Sequence, residues 1–570
     1  MQKHSLVFLF GFALWSLSAG VGAVTTPPAS AKVDLGEAEP FCNSGVPPEW
    51  RKAQVLEGVA IQESRVCDPD NPAEIAAFVK GTNNISMQTL MDTKLAADAL
   101  TMTNDMDGDG DPDHIIIKLE TMELNGHSPD FPGVVPTFDI APGIQPGFWV
   151  FAPKTRDMST TSFATVQANS LLRLPSPPIR VEQGDVVWLV VENSHYFPHS
   201  IHLHGVDHPF MDHGGEGNDG VGQTSQMDIM PGQSKTYVIR PRHAGTMYYH
   251  CHVQPHTHIP MGLAGMFIVE ENRPNNWVQT FNIGAGQVRH PSVAVKEKYS
   301  QEYDLHYQSI DKELHKMIQS ANDPRLIAKA MNQEYDITDA DDDYFVLNGR
   351  SFPYTLRESL IVVDPNEKVK LRVLSGHTEA MGLHTHGHKA TETHYDGVEQ
   401  NPGAQVTRDV FTLLPAQRLD LELNTTNDGL HSYGPGIWMF HDHVEKAFTT
   451  DGMGEGGSIS LIVYKSFLDE NGTPKTHGMD LKPYFTKKYW ERKIPVWQDW
   501  VDDWGSLGEP AVPAVAPAQT TAPAEVSSSS PWGRLFTGFL LGLFGYFLYL
   551  NRERLKALSA QLVSQLKSKK

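Results

Sequence analysis

Apolar and polar residues alternate along "PPIRVEQGDVVWLVVENS" (177–194) and again along "SLIVVDPNEKVKLRVLS" (359–375). A period of two is that of a β-strand with one face buried. Each stretch leads into a histidine-bearing segment, "HSIHLHG" (199–205) in one case and "MGLHTHG" (381–387) in the other. Each then runs through a Pro-containing strand pair to a second pair of histidines, "YYHCH" (248–252) and "MFHDH" (439–443). The chain thus repeats itself once. Short alternating strands punctuated by Gly and Pro predict an all-β protein with one sandwich per copy. We place the sandwiches at 114–275 and 340–468, joined by a connector, 276–339, that is helical around 297–333.

The pattern changes at both ends. Lys3 and His4 precede an apolar run from Leu6 to Leu17, and small residues end at Ala23, so residues 1–23 read as a secretory signal. Residues 24–113 form a short mixed extension, with helices expected at 73–80 and 86–100. Beyond 468 comes a C-terminal extension and a Pro/Ala/Ser-rich stalk, 469–530. Residues 531–551 are apolar enough for a transmembrane helix, and the basic tail 552–570 is expected in the cytoplasm. The folded part would then lie in the periplasm or outside the cell.

Length and charge narrow the function. At 570 residues with 40 % hydrophobic content, the chain can bury several cores. A formal charge of −22 argues against nucleic acid and favours cations or neutral molecules as visitors. Of three cysteines, Cys42 and Cys67 can pair in an oxidising compartment, which leaves Cys251 free as a ligand. In "DMDGDGDPD" (105–113), Asp105, Asp107, Asp109 and Asp113, with Gly110 for the turn, have the oxygen-rich spacing of a calcium loop. The glutamate that closes an EF-hand is absent.

The strongest signal is histidine spacing. On a strand, residues i and i+2 share a face, so His-x-His presents two imidazoles together. The pairs 202/204, 250/252, 256/258, 384/386, 386/388 and 441/443 all occur, and four fall at equivalent places in the two repeats. Between them, "YYHCHVQPHTHIPM" (248–261) adds softer donors. Cys251, His256 and Met261, with His199 upstream, supply one thiolate, two imidazoles and a weak thioether, the donor set of a blue-copper site. His250 and His252 flank Cys251 and point to the opposite face. One residue therefore links a one-electron acceptor to a second metal site.

These segments, with "DGVGQTSQMDIMPG" (219–232), resemble the copper motifs of the multicopper oxidases over about residues 114–468. The resemblance implies cupredoxin-like Greek-key sandwiches, one type 1 copper, and a trinuclear cluster that reduces dioxygen to water, four coppers per chain in all. Carried over by motif, His202 and His384 hold the type 2 copper. His204, His250, His252, His386, His441 and His443 hold the type 3 pair. Aligning the histidine pairs puts Met381 opposite His199, Asp442 opposite Cys251 and Ala447 opposite His256, so only the first domain is expected to be blue. This arrangement resembles two-domain laccase-like oxidases, in which closed homotrimeric rings build each cluster between neighbouring subunits; the alternative is a monomer that docks its own two domains on one cluster.

Copper nitrite reductases resemble the chain at the type 1 ligands but carry aspartate at the place of His202 and hold one catalytic copper. A simple electron-transfer or copper-carrying cupredoxin has no use for the eight further histidines. The electron donor is expected to be a phenolic compound or a reduced metal ion. In "VDHPFMDHGGEGND" (206–219), Asp219 is the candidate for relaying protons to the oxygen cluster.

Overall fold

The computed structural model describes residues 96–126, 138–154, 172–288 and 298–492, less a few single positions, with short strand pieces at 50–65 and 161–168. The signal segment, Cys42 and Cys67, the helix expected at 73–80, the stalk, the span 531–551 and the tail lie outside the described residues. Of the helix expected over 86–100 only the end is described, and it is a turn leading into a strand at Leu100. No helix among the described residues is long and apolar enough to cross a membrane.

The first sandwich has two layers. One contains β1 (Leu100–Thr103), β2 (His114–Leu124), β3 (Phe148–Pro153), β5 (Val186–Glu192) and β7 (Ser234–Ile239); the other contains β4 (Ile179–Glu182), β6 (His202–His204), β8 (Gly245–His250) and β9 (Ala264–Glu270). Strand order is β7-β5-β2-β1 in the first layer, with β3 also on β2, and β4-β9-β8-β6 in the second. The alternation read from sequence is what closes the core. Ile115, Ile117 and Leu119 of β2 and Val187, Leu189 and Val191 of β5 all turn inward. The second layer ends at β6, so the first histidine pair sits on a sheet edge.

In the second sandwich the layer β13 (Ile361–Val363), β22 (Ser460–Tyr464), β21 (Ile437–Asp442), β15 (Met381–Thr385) and β19 (Val410–Leu413) carries the histidines. Its other layer is built on β11 (Gln301–Ile310), β14 (Lys368–Gly376), β20 (Arg418–Asn424) and β16 (Ala390–Tyr395). Residues 301–310 were expected in the helical connector. They form instead a strand parallel to β14, and only α2 (Lys312–Ser320) and α3 (Pro324–Lys329) beyond it are helical, with a short π-helical turn over Ala330–Glu334. The reason is burial on both faces. Tyr303, Leu305 and Tyr307 enter the second core, while Asp304 meets Arg180 of β4 at 2.7 Å and Gln308 donates to the Pro260 carbonyl at 2.9 Å. Polar residues facing another domain hide a strand from a hydrophobicity reading.

The two sandwiches meet through β8 and β20. Arg372 of β14 donates to Asp420 at 3.0 Å and to Thr246 of β8 at 2.9 Å, all three buried. The layer bearing Asp304, Arg372 and Asp420 therefore faces the first domain. The histidines of the second domain lie on the layer behind it.

Candidate copper centres

Cys251 follows β8 directly and is wholly buried. Its Sγ lies 3.7 Å from His199 Nδ1 and 3.3 Å from His258 Nδ1. Two donors bound to one ion at about 2.0 and 2.3 Å, roughly 110° apart, would be about 3.6 Å from each other, so this spacing suits a shared metal. Met261 is buried in the same core cluster. Burial pushes the Cys251 thiol up to about 12 and holds the His258 imidazole down to about 3, with His199 also well below its ordinary value. The imidazoles are thus neutral and ready as donors, whereas the thiol ionises only against a cation.

The imidazole in this pocket is His258, not the expected His256, which is exposed. The segment is α1 (Pro255–His258), a helical turn with Pro at its start. Residues two apart on a helix diverge by about 200°, so His256 and His258 cannot share a face there, and Met261 lies three residues beyond His258 on the inner side. Pro255 was the available signal, because proline favours a first helical position.

A second residue missed from sequence is His195. Its Nδ1 is hydrogen-bonded to His199 Nε2 at 2.9 Å, and its Nε2 faces Glu123 at 3.6 Å. Trp149 Nε1 donates to the same carboxylate at 3.2 Å, as does the Tyr196 hydroxyl. With Nε2 engaged in this way, His199 offers Nδ1 to the pocket. A 430 Å³ cleft lined by Phe197, Met227, Asp228, His252 and His258 opens beside it.

The cluster histidines form two sets of matching geometry. In the first domain His202 pairs with His250 across β6 and β8, and His204 Nε2 lies 3.0 Å from His250 Nε2. In the second His384 pairs with His441, and His386 Nε2 lies 3.2 Å from His441 Nε2. Backbone carbonyls orient the rings alike. His202 Nδ1 donates to Asp219 O at 2.7 Å and His384 Nδ1 to Asp409 O at 2.9 Å, while His250 and His441 donate to the carbonyls of Cys251 and Asp442 at 2.9 and 2.8 Å. With Nδ1 carrying the proton, each Nε2 presents its lone pair, those of His250 and His441 toward His204 and His386, an arrangement that suits metal ligands. His252 stacks on His250, and His443 lies against His384 and His441. Burial lowers His250 to about 3 and both His204 and His441 to about 4.

Among the described residues no hydrogen bond or ring contact joins one set to the other, and each forms its own candidate group. Asp219 stands at the first set, its Oδ1 3.0 Å from His208 Nε2 and 3.4 Å from His202 Nδ1. In the acidic loop, Asp105, Asp107 and Asp113 gather together, and Asp109 joins a different group with Asp111 and Glu182.

A buried Cys-His-His pocket with Met261 in the same core, next to histidine pairs on two β-sandwiches, offers the donor set of a cupredoxin-type copper protein. Two multicopper oxidase family models match residues 156–274 and 327–455. Each sandwich thus carries a stretch that matches the multicopper oxidase family. The chain is 25 % identical over 264 residues to Copper resistance protein A of Escherichia coli, covering 44 % of this chain and 41 % of that one. It is 39 % identical over 83 residues to Laccase abr2 of Aspergillus fumigatus, covering 14 % and 13 %. It thus spans less than half the length of these curated relatives. Blue copper oxidase from Nitrosomonas europaea matches 67 % of this chain and 94 % of its own, at 23 % identity and a TM-score of 0.45.

Proposed function

We propose that this chain is an exported, membrane-anchored, laccase-like multicopper oxidase holding four coppers per chain, which oxidises a phenolic compound or a reduced metal ion and passes the electrons to dioxygen. The observation that carries the reading is the sequence His250-Cys251-His252, in which the buried thiol of one pocket is flanked by two imidazoles of the next. Copper, when bound, supplies one-electron transfer at the thiolate and four-electron reduction of dioxygen to water at the histidine cluster. The residues do the rest. His199, His258 and Met261 enclose Cys251, the cleft beside His258 admits the donor, and Asp219, between His208 and His202, relays protons. The acidic loop is proposed to bind calcium.

The assembly is proposed to be a homotrimeric ring. Each chain offers two half-clusters on layers that do not meet, and the second is open, with His386 and His443 exposed. Val406, Val410 and Leu414 beside it are exposed apolar residues of the kind a neighbouring subunit covers. In a closed heterologous ring, domain one of one chain meets domain two of the next and every half-cluster is completed.

Cys251→Ser tests the function. We expect loss of the thiolate-to-copper visible band and of donor oxidation, with the fold intact by circular dichroism. Oxygen uptake and nitrite turnover are measured on the same wild-type sample. Sustained nitrite reduction without oxygen consumption would replace the oxidase reading with a nitrite reductase.

A further inference from the structure

The acidic loop between β1 and β2 has an outer and an inner half. In the outer half the carboxylates are answered by the loop's own amides. Asp105 Oδ1 accepts from the N–H of Gly108 at 2.6 Å and of Asp109 at 3.1 Å, and Asp113 Oδ2 accepts from Asp107 N–H at 3.2 Å. The inner half turns into the protein, where Asp109 and Asp111 meet Glu182 from the end of β4. These three are 0 %, 4 % and 2 % exposed. Glu182 is distant in sequence, and no motif reading of the loop includes it.

Three further observations point to a ligand here. Asp185, 2 % exposed, accepts from Glu182 N–H at 2.7 Å through Oδ2, yet its Oδ1 has no partner. Asn276, also 2 % exposed, donates its amide to Glu182 Oε1 at 3.0 Å and its backbone N–H to Asp111 Oδ2 at 2.7 Å, and its Oδ1 likewise has none. After burial itself, the strongest charge acting on Asp111 is that of Asp185 and the strongest acting on Glu182 is that of Asp111, and each raises the group it acts on. Such a grouping is costly unless protonated or bridged by a cation.

We infer that Asp109, Asp111, Glu182, Asp185 and Asn276 form a second, buried calcium site, separate from the loop position at Asp105, Asp107 and Asp113. Ligand oxygens from the first three lie within 4.8 Å of one another. Oxygens on opposite sides of a calcium ion at 2.3–2.6 Å would be about 5 Å apart, so they fit one coordination sphere. Five side chains offer only oxygen, including a neutral amide, which suits calcium and not a copper or zinc ion. The ion would clasp the loop to the β4–β5 turn and to residues 271–276, where the chain leaves the first sandwich. This does not rest on the copper chemistry.

The test uses the full chain, freed of calcium with EGTA, desalted and reloaded with copper. Calcium alone is then titrated, followed by calorimetry and thermal unfolding. We expect calcium to raise Tm by about 4 °C. Glu182→Gln and Asp185→Asn should each bind one fewer calcium per chain and lose most of that shift. Both should match or exceed the calcium-free wild type in Tm without calcium, because each removes a buried charge. Asp105→Asn should leave the inner site filled. Wild-type stoichiometry and Tm shift retained in Glu182→Gln would overturn the proposal. So would a wild type indifferent to calcium, or an equal shift from magnesium.

Discussion

The pocket at Cys251 and the pocket at Asp442 occupy the same place in two copies of one fold, and they have opposite chemistry. In the first, a buried thiol faces two imidazoles at 3.3 and 3.7 Å. In the second, Asp442 Oδ1 accepts from Gly382 N–H at 2.9 Å and Val444 N–H at 3.1 Å, and Met381 and Ala447 complete a buried, largely apolar surround. His195 and His377, each four residues before the aligned His199 and Met381, also differ. His195 supports a ligand, whereas His377 faces the Asp442 carboxylate at 3.5 Å. The cluster histidines beside both pockets keep the same geometry. The fold therefore holds a matching histidine set in each copy, while only one copy has a buried thiol beside it.

The largest effect that bears on this contrast should come from the two histidines of α1. His258→Ala removes a donor from the Cys251 pocket, so the visible band should vanish and donor oxidation fall by roughly 10³-fold. His256→Ala should leave both within about threefold, read by absorbance and steady-state rates. Equal losses in the two variants would return His256 to the pocket. Next come the counterparts His195 and His377. His195→Ala should shift the position of the visible band and lower donor oxidation about tenfold without removing the metal, because it orients His199 and does not ligate. His377→Ala should leave band and rate unchanged. The smallest effect is expected from Asp442→Cys. A thiol there would face His377 but lacks counterparts of His199 and His258, whose places Met381 and Ala447 take, so the absorbance per chain should not rise, and a second band of similar strength would show that the second pocket is competent after all.

The grouping of His202, His204 and His250, of His384, His386 and His441, and of His199 with Cys251 was legible because strand periodicity puts i and i+2 on one face and because two copies repeat the signal. His258 was misread for one physical reason. A strand rule was carried past Pro255, where the chain turns helical and His256 swings to solvent. The strand Gln301–Ile310 was hidden because its polar face, with Asp304 and Gln308, is buried against the other domain rather than exposed. Glu182 could not be read beside the acidic loop at all. The contact is made by parallel pairing of β2 with β5, which brings Val186 beside His114 and the turn before it onto the loop.

The central claim is that one chain carries a complete thiolate pocket but only two halves of an oxygen cluster. Mixing His202→Ala with His441→Ala tests it most directly, because each variant alone lacks a ligand in every cluster it can form. After dissociation and reassembly in equal amounts, one interface in four should join an intact first domain to an intact second domain. Oxygen uptake should return to about a quarter of wild type. No recovery despite subunit exchange confirmed by mass-tagged chains, or an active monomer in sedimentation, would contradict a cluster completed between subunits.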